Sequence, residues 1–434
     1  MNQQTIGKYR WTICTLLFFA TTINYLDRAV ISLLKGTLEK EFSWTETDYS
    51  DIVIAFQLAY ALGMLGVGRL IDKLGTKIGY ALSLTVWSLA AIGHALVRGT
   101  LGFVVARSAL GISEAGNFPA AIKTTAEWFP KKERALATGI FNSGANVGAI
   151  LAPLTVPWIA VKWGWQWAFI LTGIIGFVWL IFWFWLYEIP AKQKRLAKAE
   201  FDYIHSDLDE APVADDTEGL KKVSWLQLLG FRQTWAFIIG KFLTDPVWWF
   251  YLFWLPAFLE AEYGVVGTDI ALPVALVYTM ASFGSIGGGW LPLVLIKKGW
   301  PVFRSRKTSM LIYAFLVIPV VFAQYLGSFN MWLAVIIIGL AASAHQAWSA
   351  NIFTTVSDMF PKKTVASVTG LGGMAGAIGG ILIAGLAGQL FDHFKALGNL
   401  EFGYYIMFMI CGLAYLIAWV IMHVLAPKMK RVEV

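Results

Sequence analysis

The stretch "EWFPKKERALATGIFNSGANVGAILAP" (127–153) occurs a second time, with changes, as "DMFPKKTVASVTGLGGMAGAIGGILIA" (358–384). In each copy an FPKK tetrapeptide, which begins at Phe129 or at Phe360, precedes a long run of small and apolar residues. The two copies lie about half a chain length apart in the sequence of 434 residues. This spacing predicts two related halves, an arrangement known from membrane proteins whose repeats are related by an axis along the membrane normal.

The composition is that of a membrane protein. Hydrophobic residues make up 58% of the chain and charged residues 14%, whereas about 25% of a soluble domain is charged. Apolar runs of roughly 20 residues, the length that crosses a bilayer as a helix, recur along the sequence. We predict an all-α membrane protein with 12 transmembrane helices in two pseudo-symmetric six-helix bundles, and we number the predicted spans 1 to 12: 11–36, 49–70, 77–97, 100–126, 134–158, 165–187, 234–259, 270–296, 307–326, 331–357, 364–390 and 402–426.

One long polar insert, from Glu188 to about Gln233, divides these spans into two sets of six. We therefore predict an N-terminal six-helix bundle at 1–187, a cytoplasmic linker at 188–233 and a C-terminal six-helix bundle at 234–434. Within the insert, "AKAEFDYIHSDLDEA" (197–211) has the pattern of a short amphipathic helix that lies outside the membrane.

The positive charges indicate the orientation in the membrane. Most of the 34 Lys and Arg residues fall in the central insert and in the loops that share a side with both termini. The positive-inside rule then places both termini in the cytoplasm. The same distribution accounts for the net charge of +7 without a nucleic-acid partner.

The loop between spans 2 and 3 reads "GRLIDKLGTKIGY" (68–80) and carries a charged turn. Asp72 can face the N-terminus of a helix, where the dipole favours a negative charge, or a neighbouring arginine such as Arg134. Either contact would latch the end of the molecule that bears the termini. The predicted cytoplasmic gate motif comprises Gly68, Asp72, Lys73, Gly75, Lys77 and Arg134.

Ionisable residues also lie inside spans 1 and 4. Asp27 and Arg28 are adjacent in "INYLDRAVISLL" (23–34), and Arg107 and Glu114 lie two helical turns apart in span 4. Counting from the ends of the spans places Asp27 at the depth of Arg107 and Arg28 within reach of Glu114. The sequence therefore predicts two acid–base pairs across a lumen between these spans.

Charges inside the membrane are functional candidates by default. One carboxylate of this set could bind a proton, and one arginine an anionic substrate. If the anion took the arginine, the carboxyl group would lose its partner and gain a proton more readily, because burial disfavours its charged form. The alternative is a static salt bridge that holds the two spans together.

The second half offers different polar groups. Span 7 begins with "KFLTDPVWWFYLFWLP" (241–256), in which Lys241 and Asp245 are spaced for an i,i+4 ion pair. We expect its two prolines, Pro246 and Pro256, to break the helix. Many of the 21 tryptophans must instead face lipid or the membrane interface, and a lone buried histidine can be a core residue. The candidate groups for a hydroxyl-rich ligand are Asp245, Trp248, Trp249, His345, Gln346, Ser349 and Asn351 here, and Tyr60, Asn142 and Asn146 in the first half.

The chain resembles the anion:cation symporters of the major facilitator superfamily. The resemblance rests on "NYLDRAV", on "GRLIDKLGTKIGYA", on the stretch from "ARSALGISEAG" to "GAILAP" and on "SAHQAWSANIFTTVSDMFPKK". Within that family it is most similar to bacterial hexuronate transporters, which take up glucuronate and galacturonate with protons. By residue, the resemblance implies that Asp27 and Glu114 couple protons, that Arg28 grips the substrate carboxylate, that Arg107 partners the acids, and that Tyr25 and Tyr60 line the site.

The expected function is a proton-coupled symporter that imports an anionic sugar acid, most similar to a hexuronate carrier. Ala145 and Met374 stand where carriers of aldonates have Gln and Asn, which favours a hexuronate over an aldonate such as galactonate or another organic anion. A membrane enzyme or a receptor is the rival class, but the sequence contains no GxSxG, HExxH or P-loop motif. The expected partners are the anion, protons and the bilayer, without cofactor, metal or nucleic acid. The expected form is a monomer in a bacterial cytoplasmic (inner) membrane.

Overall fold

The computed structural model describes residues 6–44, 46–207, 223–265 and 267–433, and these residues form helices joined by short connections. The helices reproduce the twelve predicted spans. In order they are Tyr9–Leu33, Glu46–Leu74, Thr76–Gly93, the pair Thr100–Glu114 and Asn117–Trp128, Lys131–Trp163, Trp165–Leu186, Arg232–Tyr263, Ala271–Lys297, Val302–Val317 with its continuation to Gly327, Met331–Met359, Val365–Ala396 and Leu400–Leu425. Three short α-helices lie between them in the described residues, at Lys35–Phe42, Lys198–Ile204 and Trp225–Leu229.

Helix hydropathy agrees with a membrane location. Nine helices of the described chain are long and apolar enough to cross a bilayer by length and composition. The other three spans are 3, 4 and 7. Span 4 is divided by a turn, and span 7 contains the charged residues Lys241 and Asp245.

The packing of the helices repeats between the halves, as the sequence repeat predicts. Span 1 packs on span 5, span 2 on span 4 and span 3 on span 6, and the second half pairs span 7 with 11, span 8 with 10 and span 9 with 12. The two FPKK loops have matching backbones: φ and ψ are −125° and 136° at Phe129, and −112° and 147° at Phe360. The two halves are therefore pseudo-symmetric in structure as well as in sequence.

Glycines allow the halves to meet backbone to backbone. A Cβ on Gly68 of span 2 would collide with the carbonyl of Ala366 in span 11, and a Cβ on Gly289 of span 8 would collide with the carbonyl of Ala135 in span 5. These two contacts are equivalent under the repeat. Small residues let helix backbones approach closely within a membrane. The interface between the halves therefore requires residues without a side chain at these two positions.

The helix breaks differ from the sequence-based expectation in spans 4 and 7: span 4 was predicted as a single span, and span 7 was predicted to be broken. Span 4 is interrupted at Ala115–Gly116, and Pro119 lies in the first turn of the next helix, where a missing N–H costs little. Pro246 and Pro256 do not break span 7, which is one helix over Arg232–Tyr263. Neighbouring helices and local adjustments in a membrane bundle accommodate the backbone carbonyls that a proline leaves without a donor.

The first described part of the central insert, residues 188–207, is fixed to the first half. The predicted amphipathic helix is present as Lys198–Ile204, and its predicted continuation beyond residue 207 lies outside the described residues. Glu200 is buried and accepts hydrogen bonds from the backbone N–H groups of Tyr9 (3.0 Å) and Arg10 (3.1 Å). A carboxylate thus caps the N-terminus of span 1, where four N–H groups lack intrahelical partners.

Candidate functional site

The centre of the site is an ion pair between spans 1 and 4. Arg28 Nε and Nη2 each lie 3.1 Å from Glu114 Oε2. The Arg28 guanidinium also lies 4.7 to 5.1 Å from the ring centroids of Tyr25, Phe56 and Tyr60, within cation–π distance. Glu114 is fully buried, whereas 16% of the Arg28 side chain is exposed. One of the two predicted acid–base pairs is therefore formed, and its arginine faces open space.

The second predicted pair, Asp27 with Arg107, is not formed. Arg107 Nη2 donates to the backbone carbonyl of Arg28 (3.0 Å), and the Asp27 oxygens have no hydrogen-bond partner among the described residues. Adjacent helical residues point about 100° apart, so the orientation that brings Arg28 to Glu114 gives Asp27 a different direction. Asp27 and Arg107 are buried beside the pair that does form.

The second half contributes the Lys241–Asp245 ion pair, with 2.6 Å between Nζ and Oδ2. The spacing of four residues predicts this contact. The Lys241 ammonium also lies 4.0 Å from the ring centroid of Phe353. Here the acid is the more open partner: 19% of the Asp245 side chain is exposed, compared with 4% for Lys241.

His345 combines a core contact with a place at the site. Its ring is stacked on Trp248, with 5.2 Å between centroids and 12° between planes, and its Nδ1 is hydrogen-bonded to the Tyr415 hydroxyl. His345 also lines the cavity described below. His345 is thus held in place by two neighbours while it borders the site.

The three candidate asparagines have different surroundings. Asn142 Nδ2 donates to Gln346 Oε1 (2.7 Å), which connects span 5 to span 10 across the halves. Asn351 instead donates to the Gly288 carbonyl (2.7 Å), and Asn146 is buried without a hydrogen-bond partner in the described part of the chain. Only Asn142 lines the cavity below.

A cavity of about 630 Å³, part of it open to the exterior, lies between the two halves. Most of the predicted substrate-site residues line it: Tyr25, Arg28, Tyr60, Asn142, Asp245, Trp248, Trp249, His345, Gln346 and Ser349. Sequence reasoning missed Met64, Phe118 and Phe353, because an apolar residue that borders a cavity has no signal that separates it from the core. A narrower space of about 340 Å³ shares Tyr60 and Trp249 and reaches Phe56, toward the end opposite the termini.

The end that bears the termini is closed by Asp72. Its Oδ2 accepts hydrogen bonds from the backbone N–H (2.7 Å) and the hydroxyl (2.6 Å) of Ser367, in the first turn of span 11. Its Oδ1 lies 2.8 Å from Lys123 Nζ. Of the two contacts expected for Asp72, the one with a helix N-terminus is present, and Lys123 takes the place expected for an arginine.

Arg134 closes the same end by another route. Its Nη1 donates to the Ser357 carbonyl of the second half (2.6 Å) and lies 3.8 Å from Asp358. From the second half, Arg306 binds Asp358 (2.5 Å) and donates to the Lys131 carbonyl (2.6 Å). Of the two alternatives for Asp72, the helix N-terminus is therefore the one that the structure has, and the recorded partners of Arg134 are backbone carbonyls and Asp358.

The remaining residues of the loop motif shape the turn. Gly75 has φ = +78°, in the left-handed region that favours glycine. Lys77 Nζ lies 2.7 Å from Glu188, at the start of the central insert, and Lys73 is exposed. Across the described residues, no group of three or more His, Cys, Asp or Glu side chains could hold a metal ion.

Comparison with known proteins agrees with this geometry. Residues 17–384 match the sequence profile of the Major Facilitator Superfamily. A hexuronate transporter of Escherichia coli K12 is 35% identical over 385 residues, which cover 88% of each chain. A galacturonate transporter of Dickeya chrysanthemi is 35% identical over 71% of this chain and 89% of its own.

Among solved structures, a proton:xylose symporter of the same superfamily has a TM-score of 0.74, with 15% identity and 95% coverage of each chain. That likeness shows the fold. The sequence relatives and the matching family are transporters rather than enzymes, and this protein is likewise a transporter. The chain belongs to the Major Facilitator Superfamily.

Proposed function

We propose that this transporter is a proton-coupled symporter that imports an anionic sugar acid, and that the acid is a hexuronate; the similarity to hexuronate and galacturonate transporters supports this substrate class. The observation that supports the proposal best is the Arg28–Glu114 pair. A cation that faces the cavity is held by a buried carboxylate that a substrate carboxylate can replace.

Exchange at Arg28 would couple the proton to the anion. A guanidinium binds a carboxylate through parallel hydrogen bonds, so the substrate competes directly with Glu114. Once displaced, Glu114 is a buried carboxyl group without its cation, and burial disfavours its charged form. It would then take up a proton, and the loaded site would carry one proton with each anion. Asp27, also buried, is a second candidate for proton uptake.

Alternating access would move one bundle against the other. In this proposal, residues 1–187 and 234–434 form the two bundles and 188–233 the linker. The closed end, with the Asp72–Ser367 and Arg306–Lys131 contacts, is the cytoplasmic end, where the positive-inside rule places both termini. The protein would be a monomer in the inner membrane of a bacterium, and would need no cofactor besides the proton.

The cavity wall supports a hexuronate over an aldonate. Ala145, where aldonate carriers have an amide, lines the cavity with a methyl group that cannot hydrogen-bond a hydroxyl. The aromatic rings of Trp248, Trp249 and Tyr60 border the same space. A sugar ring, with apolar faces and hydroxyl edges, fits flat aromatic surfaces better than an open polyol chain does.

The test is uptake of labelled glucuronate and galacturonate into proteoliposomes, with and without an inward proton gradient. Galactonate and glucose serve as competitors. We expect accumulation that requires the gradient and is blocked by uronates but not by glucose. Gradient-independent exchange would contradict proton coupling, and uptake blocked better by galactonate than by galacturonate would contradict the substrate assignment.

A further inference from the structure

The two ion pairs that border the cavity present opposite charges to it. In the first half the arginine is open and the acid closed: 16% of Arg28 is exposed and none of Glu114. In the second half the order is reversed, with 19% of Asp245 exposed and 4% of Lys241. A ligand between the halves therefore meets a cation on one side and a carboxylate on the other.

Local packing fixes the carboxylate of Asp245. Lys241 binds its Oδ2 at 2.6 Å, and Gly376 of span 11 packs so closely that a Cβ there would overlap the same oxygen. The other oxygen belongs to a side chain that lines the cavity. Asp245 is thus held at Oδ2 by Lys241 and by the close approach of span 11, and 19% of its side chain remains exposed beside the cavity.

Lys241 does not reach the ligand in the same way. Its side chain is almost fully buried and its ammonium lies over the Phe353 ring, 4.0 Å from the centroid. It compensates the charge of Asp245 without offering a second exposed cation. The second half therefore provides a hydrogen-bond acceptor, and no open counterpart to Arg28 among its described cavity residues.

We propose that Asp245 selects acids with one carboxylate and rejects those with two. The inference rests on the proposed function, in which the substrate carboxylate binds Arg28, and it names the residue that reads the other end. A sugar hydroxyl at that end can donate a hydrogen bond to Asp245. A second carboxylate there cannot donate and is repelled, since like charges across a binding site are strongly unfavourable.

This inference separates uronates and aldonates, which are monoanions, from aldarates, which carry a carboxylate at both ends. Specificity of this kind needs a repulsive element as well as an attractive one. The other interpretation is that Lys241 and Asp245 form a purely structural i,i+4 pair, in which case the removal of the acid would not change the selectivity.

The experiment compares dissociation constants of galacturonate and galactarate for the purified full-length protein by isothermal titration calorimetry at neutral pH. We expect the wild type to bind galacturonate at least tenfold more tightly than galactarate. In Asp245→Asn we expect this ratio to fall by about tenfold, and in Asp245→Glu, which keeps the charge, to stay within about threefold. Asp245→Ser replaces Asp245→Asn if the latter does not fold.

Glu39→Gln is the matched control, because Glu39 forms an i,i+4 pair with Lys35 (3.2 Å) on a short helix outside the described cavity lining. It should leave the ratio unchanged. An unchanged ratio in Asp245→Asn, or a wild type that binds galactarate as tightly as galacturonate, would overturn the inference while the proposed function stands. A wild type that binds no sugar acid would overturn the proposed function, and this inference with it.

Discussion

Replacement of Glu114 by glutamine should separate substrate binding from proton coupling. Glutamine keeps the shape of the side chain but removes the charge that holds Arg28 at 3.1 Å. A hydrogen bond to a charged group contributes about 1.5–3 kcal/mol, and in the wild type the substrate must displace that contact. Since about 1.4 kcal/mol corresponds to tenfold in affinity, we expect Glu114→Gln to bind galacturonate roughly ten- to a hundredfold more tightly.

The same variant should lose the response to protons. Wild-type affinity should rise as the pH falls, because a protonated Glu114 no longer competes for Arg28, whereas the affinity of Glu114→Gln should not depend on Glu114 at any pH. Calorimetry between pH 5 and 8 measures this pH dependence of the affinity. In proteoliposomes that contain the variant, counterflow should persist and gradient-driven accumulation should stop. Weaker binding by the variant, or accumulation that still follows the gradient, would refute the exchange at Arg28.

Three further predictions concern single contacts. Arg28→Lys should weaken galacturonate binding at least tenfold, about 1.4 kcal/mol, because an ammonium does not reproduce the guanidinium fork; normal affinity in calorimetry would contradict this. Gly68→Ala should open the end that bears the termini, since its methyl group overlaps the Ala366 carbonyl at a cost of about 1–3 kcal/mol. Distances between spin labels on the two FPKK loops should lengthen, but not in Gly66→Ala, whose Cβ meets nothing within 4 Å. Glu200→Gln should lower the free energy of unfolding in detergent by about 1.5–3 kcal/mol, because a buried charged acceptor of helix N–H groups is lost. An unchanged melting temperature would contradict the role of Glu200 as a helix cap.

Most of the fold can be predicted from the hydropathy and the charges of the sequence. A membrane span needs a long apolar run, so the runs in the sequence predict the helices closely: span 8 was expected at 270–296 and is Ala271–Lys297. The FPKK repeat predicts the pseudo-symmetry, because the two copies of a duplicated sequence keep equivalent packing partners. The Arg28–Glu114 and Lys241–Asp245 pairs followed from depth and from i,i+4 spacing.

The rotation of each helix about its axis and the partner of each charged side chain cannot be predicted from the sequence. Depth alone suggested Asp27 with Arg107, but a shift of one residue turns a side chain by about 100°. The sequence leaves open whether Asp72 binds a helix N-terminus or an arginine such as Arg134, and in the structure Arg134 instead donates to backbone carbonyls such as that of Ser357 and lies near Asp358. Every residue has a backbone carbonyl, so no residue pattern reveals which carbonyl an arginine will reach.

The closed end shows how a degenerate repeat can still work in both halves. The first half uses Asp72 on the first turn of span 11, whereas the loop after span 8 has no acid at the equivalent place, and Gly289 meets span 5 through backbone contact alone. The polar role on that side passes to Arg306, which joins Asp358 to the Lys131 carbonyl. Opening this end must break a carboxylate–helix contact on one side and an arginine–carbonyl contact on the other. Because each set crosses between the halves, a rigid-body movement that separates the halves at this end has to break both sets.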